Sequence, residues 1–159
     1  MKNIIVIDMQ KGFINKNNIH LVEKINEYLN NNNFDNVFFT KCVNSPESPF
    51  MNILNWNGVN NEQEQEIVVN VPKNAKILIK HGYGIGGQVQ QIKNLGVNEI
   101  EICGTDTDAC CMAIAFDLFD CNIKPIILSD LCASSSSDLN IHNNALEIMK
   151  RQFGKDNIK

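Results

Sequence analysis

Five short runs rich in isoleucine and valine punctuate the chain: Asn3–Ile7, Asn36–Thr40, Lys76–Ile79, Glu99–Cys103 and Ile123–Leu128. Each is close to continuously apolar and is bounded by turn or cap residues. That is the pattern of strands in a parallel sheet covered on both faces. Helical spacing fills the intervals. Val22, Ile25 and Leu29 recur within Ile19–Leu29, and Gln88–Leu95 is closed by Gly96 in a position suited to C′. Ala109–Cys121 is small or apolar on most faces and is expected to be buried. Asn140–Phe153 places Ile141, Ala145, Ile148 and Met149 on one side, with Gly154 after its end. Alternation of this kind predicts an α/β fold, a three-layer αβα architecture around a mostly parallel, Rossmann-like sheet of five or six strands. Residues 1–159 are read as a single domain, with a sixth strand after Gly154 the marginal case. Right-handed crossovers then bring whatever follows the strands to one crevice at their carboxyl ends.

The pattern lapses between Lys41 and Val71, a stretch holding Pro46, Pro49, Phe50, Trp56 and Gly58. Long irregular connections in compact domains are usually functional, so this one is expected to form a wall or lid over the crevice. One short helix is expected near Glu62–Val68. The serine run Ser134–Ser137 reads as a loop without chemistry.

Several function classes are disfavoured. The formal net charge is −4, and no Lys/Arg cluster is interleaved with aromatics, which argues against nucleic acid as a partner. The first apolar run stops at Asp8, too short for a signal-peptide core or a membrane span, so a cytoplasmic location without a membrane partner is expected. The six cysteines, Cys42, Cys103, Cys110, Cys111, Cys121 and Cys132, are then expected to be reduced and mostly buried. No C-x-x-C pair and no histidine at finger spacing occur, so no metal and no cofactor are expected.

Chemistry is sought where the strands end. Asp8 follows the first run, Lys80 the third, and Gly104-Thr-Asp-Thr-Asp-Ala-Cys-Cys111 the fourth. Each has a plainer reading: a capping carboxylate, a surface ammonium, a structural thiol. Their meeting at three strand ends is what distinguishes them. Thr107 or Asp108 suits the N-cap of the following helix, which puts Cys110 in the first turn. There the positive end of the helix favours a thiolate, and unpaired amides suit an oxyanion. Cys111, rotated by about 100°, should face the interior. None of His20, His81 and His142 stands where it would activate a thiol, which makes Asp8 the candidate base. A carboxylate of ordinary acidity is a weak base, so Asp8 and Lys80 have to be read as a pair.

The run Ile7-Asp-Met-Gln-Lys-Gly-Phe13, Lys80 after its strand, Gly104-Thr-Asp-Thr-Asp-Ala-Cys110, and the late Ile126-Ile-Leu-Ser-Asp-Leu-Cys-Ala133 followed by His142 resemble, in order, the isochorismatase-like cysteine hydrolases. That superfamily includes nicotinamidases and N-carbamoyl amidohydrolases. The resemblance implies an Asp8–Lys80–Cys110 triad acting through a thioester, and an oxyanion hole of the Asp106 and Cys110 amides. It also implies a cis peptide between Thr105 and Asp106, substrate contact by Phe13, and a dimer or tetramer. Nicotinamidases carry an Asp-x-His pair after the second strand to hold a metal. Here that place reads Thr40-Lys-Cys-Val-Asn-Ser45, and no histidine lies between His20 and His81. Isochorismate-cleaving members lack the nucleophilic cysteine that Cys110 would supply. The expectation is therefore metal-free hydrolysis of a C–N bond, amide or ureido, in a small molecule. Phe50 and Trp56 line either the substrate pocket or a subunit contact. The competing readings are an inactive binding protein or partner subunit that keeps the fold, and thiol redox chemistry at Cys110–Cys111.

Overall fold

The computed structural model describes residues 1–159. Its sheet has five strands: β1 (Asn3–Ile7), β2 (Asn36–Cys42), β3 (Lys76–Lys80), β4 (Glu99–Thr105) and β5 (Lys124–Ala133). They are all parallel, in the order β3-β2-β1-β4-β5. The expected three-layer α/β architecture is thus present with five strands. The chain builds outward from β1 to β3, then crosses back to add β4 and β5 on the other side. The order reverses between β1 and β4, the place where doubly wound sheets leave a crevice.

Alternation along the strands fills two cores. Ile5, Ile7, Phe38, Leu78, Ile100 and Ile102 face a layer that includes α3 (Val89–Lys93), α4 (Met112–Asp120) and α5 (Leu139–Phe153). Ile4, Val6, Val37, Phe39 and Cys103 face α1 (His20–Asn30) through Leu21 and Ile25. A four-residue helix, α2 (Pro49–Asn52), sits in the long connection after β2.

Several expectations need correction. No helix forms near Glu62–Val68. Residues 62–65 make a turn, and Ile67 makes an isolated bridge with Gln10. The carbonyls of Glu64 and Glu66 are drawn outward by the amides of Gly12 and Lys11, which leaves no helical ladder. β3 is an edge strand, and Ile77 and Ile79 are largely exposed rather than covered. On α5 the buried stripe is Ala145, Met149 and Phe153, while Ile141 and Ile148 face outward. On α4, Ile114, Ala115 and Leu118 are buried, but Phe116 and Phe119 are exposed, with Phe116 edge-on to Phe153 and Phe119 tilted against it. After Gly154 only a single parallel bridge, Ile127 to Ile158, extends the sheet. No helix is long and apolar enough to cross a membrane.

Candidate active site

Asp8 leaves β1 with φ 47°, a left-handed conformation that costs a residue bearing a Cβ. Thr40 on the adjacent β2 holds it there. Its Oγ1 accepts the Asp8 N–H at 3.0 Å and donates to Asp8 Oδ1 at 2.6 Å. On the other side Gly104 lets β4 approach β1. A Cβ there would lie 2.1 Å from the Ile7 carbonyl oxygen, and φ is +124°.

Lys80 is the last residue of β3 and is buried, with a side chain 1% exposed. Its Nζ donates to Gly82 O at 2.7 Å and to Cys110 Sγ at 3.3 Å, and lies 2.8 Å from Asp8 Oδ2. The contact with Asp8 is an ion pair without hydrogen-bond alignment. Oδ2 therefore keeps no hydrogen-bond donor of its own. Burial by itself would lower the pKa of Lys80. The Asp8 carboxylate, with Cys110 and Cys42 beside it, overcomes that and holds the ammonium above the usual lysine range.

Cys110 stands in a wide turn, Thr107–Cys111, with π-helical spacing, which leads into α4. The N-cap is Asp106, so Thr107 and Asp108, the expected caps, lie inside the turn. The Asp106 carbonyl accepts Ala109 N–H at 3.1 Å and Cys111 N–H at 3.0 Å. An α-turn would have given that carbonyl to Cys110. The Cys110 amide thus makes no backbone bond outside its own turn, and the Asp106 amide donates to no backbone carbonyl. The Thr105–Asp106 peptide is cis.

Burial pushes the Cys110 thiol well above its ordinary value. The Asp8 carboxylate adds to the rise by its charge, and Lys80 opposes it. Burial and the neighbouring carboxylate charge thus favour the thiol form of Cys110 at rest. The thiolate expected from the helix terminus is outweighed by desolvation. Cys111 is fully buried, as expected, and all six cysteines are free.

The turn is clamped from outside. Ser135 donates from N to Asp106 Oδ1 at 2.6 Å and from Oγ to Oδ2 at 2.7 Å. The Ser135 carbonyl in turn accepts from Asn15 and Asn17, and Asn18 Nδ2 reaches Thr105 Oγ1 at 3.1 Å. Sequence reasoning missed Ser135, because a serine run looks like filler. It also missed Thr40, because threonine in a strand looks like β-propensity.

Phe13, Phe50 and Trp56 do come together. Phe13 stacks on Trp56 with centroids 5.8 Å apart and planes 18° apart. Phe50 meets Trp56 edge-on at 5.6 Å and Tyr83 at 5.0 Å. Tyr83 is an addition to the expected set. It also lines a cavity of about 430 Å³ with Asp108, Ala109, Met112, Ala113 and Phe116, beside the Cys110 turn. Larger cavities of about 610 and 720 Å³ lie elsewhere, around Tyr28 and around Phe119, and reach none of Asp8, Lys80 and Cys110.

The carboxyl ends of the parallel strands thus bring a buried carboxylate, ammonium and thiol together. Residues 2–155 match the family model described as Isochorismatase domain, and the chain belongs to that family of hydrolases. Solved structures with the same fold include a pyrazinamidase of Pyrococcus horikoshii in complex with zinc (23% identity, 99% of this chain and 97% of that one, TM-score 0.81). They also include an N-carbamoylsarcosine amidase from Thermoplasma acidophilum (20%, 97% and 94%, 0.79) and a pyrazinamidase/nicotinamidase from Streptococcus mutans (17%, 97% and 98%, 0.81). No curated protein matches the chain by sequence.

The zinc in one relative prompts the question whether these residues fit a metal. Nowhere do three His, Cys, Asp or Glu side chains gather as a donor set. After β2, Asn44 spends its side chain on neighbouring loop groups, and the His81 ring contacts the Val43 carbonyl at 2.8 Å.

Proposed function

We propose that this chain is a metal-independent cysteine amidohydrolase that cleaves a C–N bond, amide or ureido, in a small molecule. The observation that carries the reading is Lys80 Nζ standing 2.8 Å from Asp8 Oδ2 and 3.3 Å from Cys110 Sγ in a buried setting. Asp8 takes the thiol proton on Oδ2, and Cys110 Sγ attacks the carbonyl carbon. The Asp106 and Cys110 amides receive the oxyanion. The C–N bond breaks as Asp8 returns the proton to the leaving nitrogen, which leaves a thioester on Cys110. Water, deprotonated by Asp8, then releases the acid and restores the thiol. Lys80 keeps Asp8 charged before each proton transfer and oriented through both halves. The names of the amidase relatives support amide hydrolysis, and the aromatic group of Phe13, Phe50, Trp56 and Tyr83 supports a pocket wall. The same reading takes residues 1–159 as one domain, acting in the cytoplasm as a dimer or tetramer.

The test is release of ammonia or amine from a panel of small primary amides and ureido compounds, comparing wild type with Cys110→Ala. Turnover is expected only with the thiol present, with an acyl adduct on Cys110 trapped by acid quench and found by mass. Equal turnover by the two proteins would remove Cys110 from the chemistry, and no adduct with no turnover on any panel member would favour the fold-retaining binding protein instead.

A further inference from the structure

We propose that Asn44 is a positioning residue for the substrate-facing wall, acting by pinning the loop that carries Phe50 and Trp56. The proposal rests on the amidohydrolase reading for its kinetic part only. Asn44 is 2% exposed and lies two residues beyond the end of β2. Its Nδ2 donates to Trp56 O at 2.9 Å and to Gly58 O at 2.8 Å. Its backbone N–H donates to Val59 O at 3.1 Å, and its Oδ1 accepts from Ser48 Oγ. Ser48 is itself the N-cap of α2, with its Oγ accepting from Met51 N, and α2 holds Phe50.

One buried amide thus ties both aromatic-bearing pieces of the connection to the end of β2. The connection between β2 and β3 contains no helix beyond the four residues of α2, so little else there is self-supporting. Trp56 is folded back against Gly58, where a Cβ would meet the indole at 2.3 Å. Trp56 therefore takes its place from the same two carbonyl-bearing residues that Asn44 holds. None of these contacts reaches Asp8, Lys80 or Cys110. The effect belongs to substrate binding rather than to bond cleavage.

Asn44→Asp keeps the shape but turns an oxygen toward two carbonyl oxygens, so the pin becomes a repulsion. Trp56 is the only tryptophan in the chain, and its emission reports the wall without any need for turnover. Folded Asn44→Asp is expected to show a red-shifted emission and acrylamide quenching raised at least twofold. On the best amide of the panel, KM is expected to rise about tenfold, with kcat within threefold and the pH profile of kcat unchanged. Ser48→Ala, which removes one support of Asn44, is the milder variant and should give the same signature at lower amplitude, with KM up about threefold. Unchanged emission and quenching in either folded variant overturns the proposal, as does a fall in kcat with KM constant. If the wild type turns over no amide, the amidohydrolase reading fails, and the Trp56 readouts still decide the role of Asn44.

Discussion

Thr40 and Asp8 form a reciprocal pair, with one hydroxyl accepting the Asp8 amide and donating to the Asp8 carboxylate. The pair fixes a left-handed residue and occupies Oδ1, so that only Oδ2 is left to face the ammonium and the thiol. Thr40→Val keeps the shape and removes both bonds. Leaving buried polar groups unpaired costs about 1–3 kcal/mol, which corresponds to a melting temperature lower by roughly 2–12 °C in a chain of this size. Misalignment of Asp8 should lower kcat about 10- to 100-fold, by the same free energy. Thermal melts and steady-state kinetics check this, and Thr40→Ser should recover most of both losses.

Removing one partner of the buried Asp8–Lys80 pair strands the other charge. Lys80→Met is expected to destabilise the fold by about 3–5 kcal/mol and to abolish turnover. The double change Asp8→Leu with Lys80→Met should recover much of that stability while remaining inactive. Urea denaturation of the three proteins separates the structural cost from the chemical one. A double variant as unstable as the single one would contradict it.

Burial holds Cys103, Cys110 and Cys111 well above the ordinary thiol value and pushes Cys42 up to about 11. The unfolded chain releases those protons near the ordinary value of about 8.5, whereas the fold retains them. Above that pH the native state binds more protons than the unfolded one. The stabilisation is therefore complete below about pH 8.5 and is lost as pH rises, by about 1.4 kcal/mol per pH unit for each such thiol. Urea midpoints should fall between pH 7.5 and pH 9.5. Cys103→Ala should flatten the slope at some cost in absolute stability. Equal midpoints at the two pH values would contradict the expectation.

Ser135 holds Asp106 at the start of the turn to which the amidohydrolase reading assigns the oxyanion donors. Ser135→Ala deletes the hydroxyl bond to Oδ2 and keeps the backbone one. Hydrogen bonds to a charged group contribute about 1.5–3 kcal/mol. Where part of that goes to placing the Asp106 amide, kcat is expected to fall about tenfold with KM within twofold. A change confined to KM would assign Ser135 to substrate contact instead.

What the amino-acid sequence makes legible in this fold depends on whether the signal is carried along the chain or across it. The five strands are readable because their apolar runs are local. A parallel sheet sends every strand's carboxyl end to the same side, so Asp8, Lys80 and Cys110 can be grouped without knowing the strand order. The order itself is not readable. That is why Ile77 and Ile79 look like core residues and yet lie on an exposed edge strand. Partners that act across the fold are also silent. The hydroxyls of Thr40 and Ser135 acquire their meaning only when β2 meets β1 and the loop after β5 meets the Cys110 turn. The false helix near Glu62–Val68 has the same origin, since its carbonyls are claimed by residues some fifty positions earlier.

The wide Thr107–Cys111 turn has a consequence for how this protein tolerates change. An ordinary helix start would leave only three residues after its N-cap with free amides, and Cys110 is the fourth after Asp106. The extra breadth gives the Asp106 carbonyl to Ala109 and Cys111 rather than to the Cys110 amide. A change that tightened the turn into regular α geometry would improve the local hydrogen bonding of α4 and return that amide to the helix. If Cys110 acts as proposed, a better helix here makes a worse catalyst, and screens that select for thermal stability alone should drift toward inactive variants at this turn.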